Sequence, residues 1–279
     1  MESAPPLPGI PRRTARRDIG FAMASCALLT AYNNLFGAHP WHSRWYVPLN
    51  AGATGAALSA AAASGLTATD IGIGRATWPP GRPAARLAAT VAAGWLLIAM
   101  VPATRRVLDD KRIEGLDGRA VAYQALVRIP VGTVLWEETA FRGVLQAALR
   151  RVMPPAAAIA VTSGVFGVWH IRPTYQALRV NGLAGSRRQA IAGTVAGVTA
   201  TTAGGVLLSW LRERSGSLAA PALLHLATNC GGPVSAWTVT RLNRPGPGVV
   251  GNLLSIFEHQ TSNHAGPRPG ARSSGAHIE

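Results

Sequence analysis

Negative charge is scarce in this chain of 279 residues: 12 Asp and Glu stand against 27 Lys and Arg, a formal net charge of +15. Charge of either sign is rare, at 14% of the residues, where an average soluble domain carries about 25%. That shortfall excludes an ordinary water-soluble globule and a charged disordered chain. Lysine is nearly missing, with Lys111 the single example. Cysteine is confined to Cys26 and Cys230, both in apolar stretches. Two such thiols make neither a disulfide framework nor a zinc knuckle, and they read as small core hydrophobes. A basic balance can mark a nucleic-acid binder, but that class clusters Lys and Arg on a soluble scaffold. Here arginines punctuate long runs of Ala, Leu, Val and Gly, and 48% of the chain is hydrophobic. No nucleic-acid partner is expected; the pattern is that of a polytopic, all-α transmembrane helix bundle.

Four regions follow from the composition. Residues 1–18 form a Pro/Arg-rich basic tail with Arg12, Arg13, Arg16 and Arg17 at its end. Residues 19–119 hold N-terminal membrane helices and loops, and 120–240 hold a further helical core. Residues 241–279 turn to Pro, Gly, Ser and His around a short apolar segment, which reads as a disordered tail. A bilayer crossing needs about 20 mostly apolar residues. Candidates lie near 19–38, 45–65, 84–104, 122–149, 154–171, 189–211 and 217–239, giving about seven to eight spans. The first run carries Tyr32, Asn33 and Asn34 and no clear cleavage site, so it reads as a retained span rather than a signal peptide. The second is mostly Ala, Gly and Ser, which suits an internal helix. Trp41, Trp45, Tyr46 and Trp78 fall at span edges, as an interfacial aromatic belt would.

The fourth run is anomalous. Glu137, Glu138 and Arg142 interrupt an otherwise hydrophobic helix. Each charge at the centre of a membrane helix costs about 2.5–3.5 kcal/mol on insertion scales, and such residues mark function. Glu138 and Arg142 are spaced i, i+4 and can pair along one face. Glu137, turned by about 100°, has no partner in its own helix and is free to act elsewhere. Later runs bring further polar groups into apolar surroundings. His170 closes Phe166-Gly167-Val168-Trp169-His170, and His225 and Asn229 stand i, i+4 on one face of the last long run. Gly216-Ser217 and Pro221 mark the start of that last helix.

The ordered set Glu137-Glu138-x-x-x-Arg142, Phe166-x-x-x-His170 and His225-x-x-x-Asn229 resembles the three motifs of the CAAX prenyl endopeptidase and bacteriocin-processing (CPBP, or Abi) family of intramembrane proteases. The resemblance covers about residues 120–240, with 120–240 then the catalytic core; the Leu66–Gly74 turn is also similar to a loop seen in that family. It implies that Glu137 is the general base, that His170 orients the same water, and that His225 with Asn229 stabilises the tetrahedral intermediate. Glu138 and Arg142 would then be a supporting ion pair. The resemblance leaves two mechanisms open: a metal-free glutamate protease, or a metalloprotease in which Glu137, His170 and His225 bind one divalent metal such as zinc. It also implies a peptide or protein substrate, lipidated in part of the family, alongside membrane lipids. Heavy Ala, Arg and Gly usage points to a bacterial plasma membrane as the setting. A second class of function fits the same polar cluster: a non-catalytic membrane protein, whether a transport or partner-binding scaffold or an inactive family member.

Overall fold

The structure, a computed structural model, describes residues 12–75 and 79–242. Every regular element among these residues is helical. In chain order they are α1 (Arg12–Leu35), α2 (Pro40–Arg44), α3 (Tyr46–Ala63), α4 (Gly81–Met100) and α5 (Lys111–Glu114). The unbroken helix α6 covers residues 118–150, followed by α7 (Pro155–Trp169), α8 (Ile171–Val180), α9 (Arg187–Ser215) and α10 (Ala219–Leu242). Contacts group Met1–Val239 as one compact unit; of the remaining unit, Thr240–Glu279, only residues 240–242 are described.

The seven long helices sit where the apolar runs lie, and their ends have local causes. The Asp117 carboxylate caps α6 by accepting from the Ala120 N–H at 2.7 Å. Pro155 opens α7 at a position where its missing N–H costs nothing. Ser186 and Gln189 form a reciprocal capping box at the start of α9, and Gly216 ends that helix in the left-handed region at φ 66°.

Helix α6 is the axis of the bundle. Every residue from Trp136 to Leu149 is buried, the signature of a helix surrounded on all sides. Over Gln124–Leu135 and Glu138–Leu145 its turns are wide, with π-type i→i+5 bonding, and Pro130 lies inside the first wide segment. Wide turns inside a helix are uncommon and concentrate at functional sites, because they redirect side chains that a regular helix would stack. Helices α1, α3, α7 and α9 pack around this axis. Its main core joins Ala22 and Leu29 of α1 to Trp136, Phe141 and Leu145 of α6 and to Phe166 and Trp169 of α7.

Small residues allow α9 to lie close against α7 and α8. A Cβ on Gly205 would stand 3.3 Å from Ser163 Cα, and one on Gly167 would collide with Thr202. Further along, Gly197 meets Thr174 and Gly193 meets Leu178. Helices α7 and α8 therefore run antiparallel to α9 as one interrupted rod, with the interruption at His170.

The outside of the bundle is apolar. Leu97 and Met100 of α4, Val195 of α9, Leu28 of α1 and Leu126 of α6 are all well exposed. Helices α4 and α9 are long and apolar enough to cross a membrane, and only 17% and 11% of their apolar windows are buried. The core helix of a soluble protein would bury most of that surface.

Two expectations change at this level. Helix α3 is not internal: Asn50, Thr54 and Ala61 are buried, while much of the rest of the helix is exposed. Its alanines are too small to cover a neighbour on every side, so one stripe packs and the other is left open. Trp41 and Trp45 are exposed as a belt requires, but Tyr46 turns inward, bonding Thr133 through its hydroxyl at 2.9 Å under the Arg128 guanidinium. Trp78 and the expected tail segment beyond residue 242 lie outside the described residues.

Candidate active site

The two adjacent glutamates occupy the junction between the wide segments of α6 and are both buried, Glu137 at 5% exposure and Glu138 at 1%. Glu138 is held from two directions. Arg142 Nη1 donates to its Oε1 at 3.1 Å, the i, i+4 pair that the spacing anticipates. His225 Nδ1 approaches the same oxygen at 2.7 Å from α10. Arg142 is itself fully buried, reaches the Gly205 carbonyl of α9 at 3.4 Å, and lies 4.1 Å above the Phe166 ring. Its charge is thus spread over a carboxylate, a peptide dipole and an aromatic face.

This arrangement fixes the state of His225. A carboxylate oxygen only accepts, so Nδ1 carries the hydrogen and donates it to Glu138. The Asn229 amide Nδ2 stands 3.0 Å from Nε2 and donates to it, one helical turn along α10. The same Nε2 lies 3.9 Å from Glu137 Oε2. That is too long for a direct hydrogen bond, so Glu137 Oε2 faces the imidazole edge without bonding to it. Glu137 Oε2 has no hydrogen-bond partner among the described residues, and Glu137 is the one site carboxylate without an arginine. A carboxylate that orients a histidine, whose other nitrogen faces a second unpaired carboxylate, can take and return a proton.

His170 stands elsewhere. It forms the junction between α7 and α8, with φ −92° and ψ 3°, and its Nδ1 donates to the Phe166 carbonyl at 2.7 Å. That bond leaves Nε2 as the acceptor nitrogen. The Phe166 ring contacts both imidazoles, edge-on, at 4.6 Å from His170 and 6.3 Å from His225. No hydrogen bond or ion pair among the described residues joins His170 to Glu137, His225 or Asn229. The structure therefore brings Glu137, Glu138, Arg142, His225 and Asn229 into one network and leaves His170 beside it.

The interruption at His170 exposes backbone groups, and α1 satisfies them. Asn34 Nδ2 donates to the Val168 carbonyl at 2.9 Å, and its Oδ1 accepts from the Arg172 N–H at 3.1 Å. Asn33 Nδ2 donates to the Trp169 carbonyl at 3.2 Å. Tyr32 stacks on the Trp169 ring, centroids 5.6 Å apart and nearly parallel. The motif spacing assigns these residues no part in the chemistry. Their signal was present as two consecutive amides inside the first apolar run. Gln146, one turn beyond Arg142, is a second omission: it is buried and donates to the Ser209 carbonyl at 3.1 Å. A polar cavity of about 390 Å³ reaches Gln146 and Arg142 from the side of Asp70, Arg150, Arg212 and Glu213.

The residue set Glu137, His170 and His225 does not fit a metal in this arrangement. Among the described residues no three His, Cys, Asp or Glu side chains converge as a metal-binding group. His225 also has both ring nitrogens engaged, one by Glu138 and the other by Asn229. No step is derived through a metal.

No curated protein and no solved structure matches the chain. Residues 120–231, from the start of α6 to the middle of α10, match the type II CAAX prenyl endopeptidase Rce1-like family. That stretch contains every residue of the buried network and His170, and the family is membrane-embedded. With its ordered glutamate, histidine and asparagine motifs carried on a helical bundle, the 120–231 segment is similar to the CAAX-protease (CPBP) family.

Proposed function

We propose that the chain is an intramembrane endopeptidase of the type II CAAX-protease kind. One observation carries the reading: an unpaired, buried Glu137 carboxylate faces His225 Nε2 across 3.9 Å, and His225 is itself locked by Glu138. A water beside that carboxylate would sit against a general base. Glu137 takes its proton as the oxygen attacks the scissile carbonyl carbon. The resulting oxyanion is met by Asn229, which gives one amide hydrogen to His225 and has a second to offer. Collapse of the intermediate returns the proton from Glu137 to the leaving amine. Arg142 compensates Glu138 throughout, so Glu138 keeps His225 in place rather than taking the proton itself. His170 helps to orient the water through Nε2, from the junction between α7 and α8. Hydrolysis in an apolar layer also needs water to arrive, and the polar cavity behind Arg142 supports such a route.

In this reading the remaining long helices join α4 and α9 as spans of a seven- to eight-span bundle in a bacterial plasma membrane. The substrate is a peptide or protein held at the membrane, lipidated or not. The test is a comparison of peptide termini across the membrane proteome, with and without Glu137→Ala, followed by cleavage assays on the purified protein in vesicles. Specific termini should disappear with Glu137→Ala and with His170→Ala while both variants remain folded in the membrane. Unchanged termini would instead favour a scaffold built on the same polar cluster.

A further inference from the structure

A groove of about 1090 Å³ lies away from the buried network, between α8 and the first half of α9. Its walls are apolar, with Ile171 and Tyr175 on one side and Ile191 and Val195 on the other, all exposed. Arg179 closes one wall near the end of α8, and Arg187 opens the other at the start of α9. No lining residue is acidic, and among the described residues no carboxylate pairs with Arg179 or Arg187. Helix α8 buries none of its residues, although its polar and apolar faces are sharply segregated. Such a helix lies at the edge of an apolar layer rather than inside a protein core.

We infer that this groove binds one anionic glycerophospholipid, its phosphate between Arg179 and Arg187 and an acyl chain laid along Ile191 and Val195. The dimensions agree. The α9 wall extends from Arg187 to Thr199, a rise of about 18 Å at 1.5 Å per residue. One leaflet of hydrocarbon is about 15 Å deep, half the thickness of the bilayer core. A groove one leaflet deep, chiefly apolar between its ends, with Arg179 and Arg187 together at one end and Arg172 alone at the other, complements a lipid that carries a negative headgroup. An extended peptide would leave its backbone unpaired against these walls. The inference rests on the membrane setting proposed above but not on proteolysis.

The experiment exchanges the purified protein into equimolar phosphatidylglycerol and phosphatidylcholine vesicles, then re-extracts it and measures retained lipid by mass spectrometry. Phosphatidylglycerol should be enriched, and Arg179→Gln and Arg187→Gln should each reduce the enrichment about fivefold. Ile191→Trp, which fills the groove, should lower retention of both lipids. Glu137→Ala should retain lipid like the parent protein, so the failure of the protease reading and the failure of this one are distinguishable. Thermal melting in detergent identifies any arginine variant that does not fold, in which case Ile191→Trp decides. Equal retention of the two lipids would overturn the assignment, as would enrichment indifferent to all three groove variants. Displacement of lipid by inorganic phosphate or by an acylated peptide would overturn it too, pointing respectively to an anion site or to a substrate groove.

Discussion

Arg142 is fully buried, and three different elements answer its charge: Glu138 on its own helix, Gly205 on α9 and Phe166 on α7. Removing it would leave Glu138 buried with His225 alone. Breaking a buried pair in this way costs about 3–5 kcal/mol. Arg142→Ala should therefore lower the thermal midpoint in detergent sharply, and Arg142→Lys should recover only part of the loss, because an ammonium cannot reproduce the planar fork over Phe166. The neighbouring glutamate should behave in the opposite way. Glu137→Gln disturbs no arginine pair and should leave the midpoint close to the parent value, while proteolysis falls by at least about 100-fold. Measuring both midpoints and both rates separates the two adjacent carboxylates; a large stability loss for Glu137→Gln would contradict the division of labour. The spacing alone identified which glutamate is paired, because i, i+4 geometry is local. It could not reveal the second partner of Glu138, since His225 lies 87 positions away and meets it only through the docking of α10 on α6. Linear spacing also could not show that His170 stands aside, because its position depends on where α7 stops.

The elements repeat this contrast between local and non-local causes. The seven long helices were readable from apolar runs. Helix α8 was not, because Arg172, Gln176 and Arg179 dilute the hydropathy that marked the others. The wide turns of α6 leave no trace in side-chain periodicity, although Pro130 lies within them. Two predictions belong at this scale. Asn34→Leu would withdraw both hydrogen bonds that span the junction at His170, leaving the Val168 carbonyl and the Arg172 N–H unmatched. Backbone groups left without a partner in an apolar layer are destabilising. The variant should melt earlier, show faster amide exchange across residues 168–172, and lose proteolysis with no change to a motif residue. Gly205→Leu acts on the facing helix: its Cβ would meet the Phe166 ring at 3.2 Å and Ser163 Cα at 3.3 Å. Since Arg142 rests on that ring, activity should fall further than stability, and Gly205→Ala should give an intermediate result.

At the scale of the molecule, large apolar side chains are exposed on α1, α4, α6 and α9, and most charged residues outside the buried network sit near helix ends or in loops. The protein should accordingly stay in the membrane fraction through an alkaline carbonate wash; release into the supernatant would contradict an embedded bundle. The loop after α3 is tied down electrostatically. The Thr67 N–H donates to Asp70 at 2.8 Å, Thr67 Oγ1 does the same, and Arg151 lies 3.8 Å away while also reaching Asp18 at 3.5 Å. These hydrogen bonds, the backbone one foremost, hold the Asp70 carboxyl below its ordinary range, with Arg151 and Arg212 adding to the effect. A depressed carboxyl stabilises the fold above the unfolded value of about 3.9 and ceases to do so as pH falls through the folded value. In acid titrations of the solubilised protein, the parent should therefore outlast Asp70→Asn near neutrality, with the difference beginning to shrink near about pH 4 and gone only below the depressed folded value. The Leu66–Gly74 turn was visible in the sequence as a motif; its anchorage to α6 through Arg151 was not, because that link joins distant parts of the chain.

The amides of α1 carry one more implication. The segment that matches the protease family starts at residue 120, yet the bend that presents its histidine is splinted by Asn33 and Asn34 from a helix upstream of that segment. The motif-bearing helices are thus not a portable cassette. A transplant of residues 120–242 into another membrane scaffold should carry every reacting group and still be inert, until a helix bearing the two asparagines is supplied alongside it.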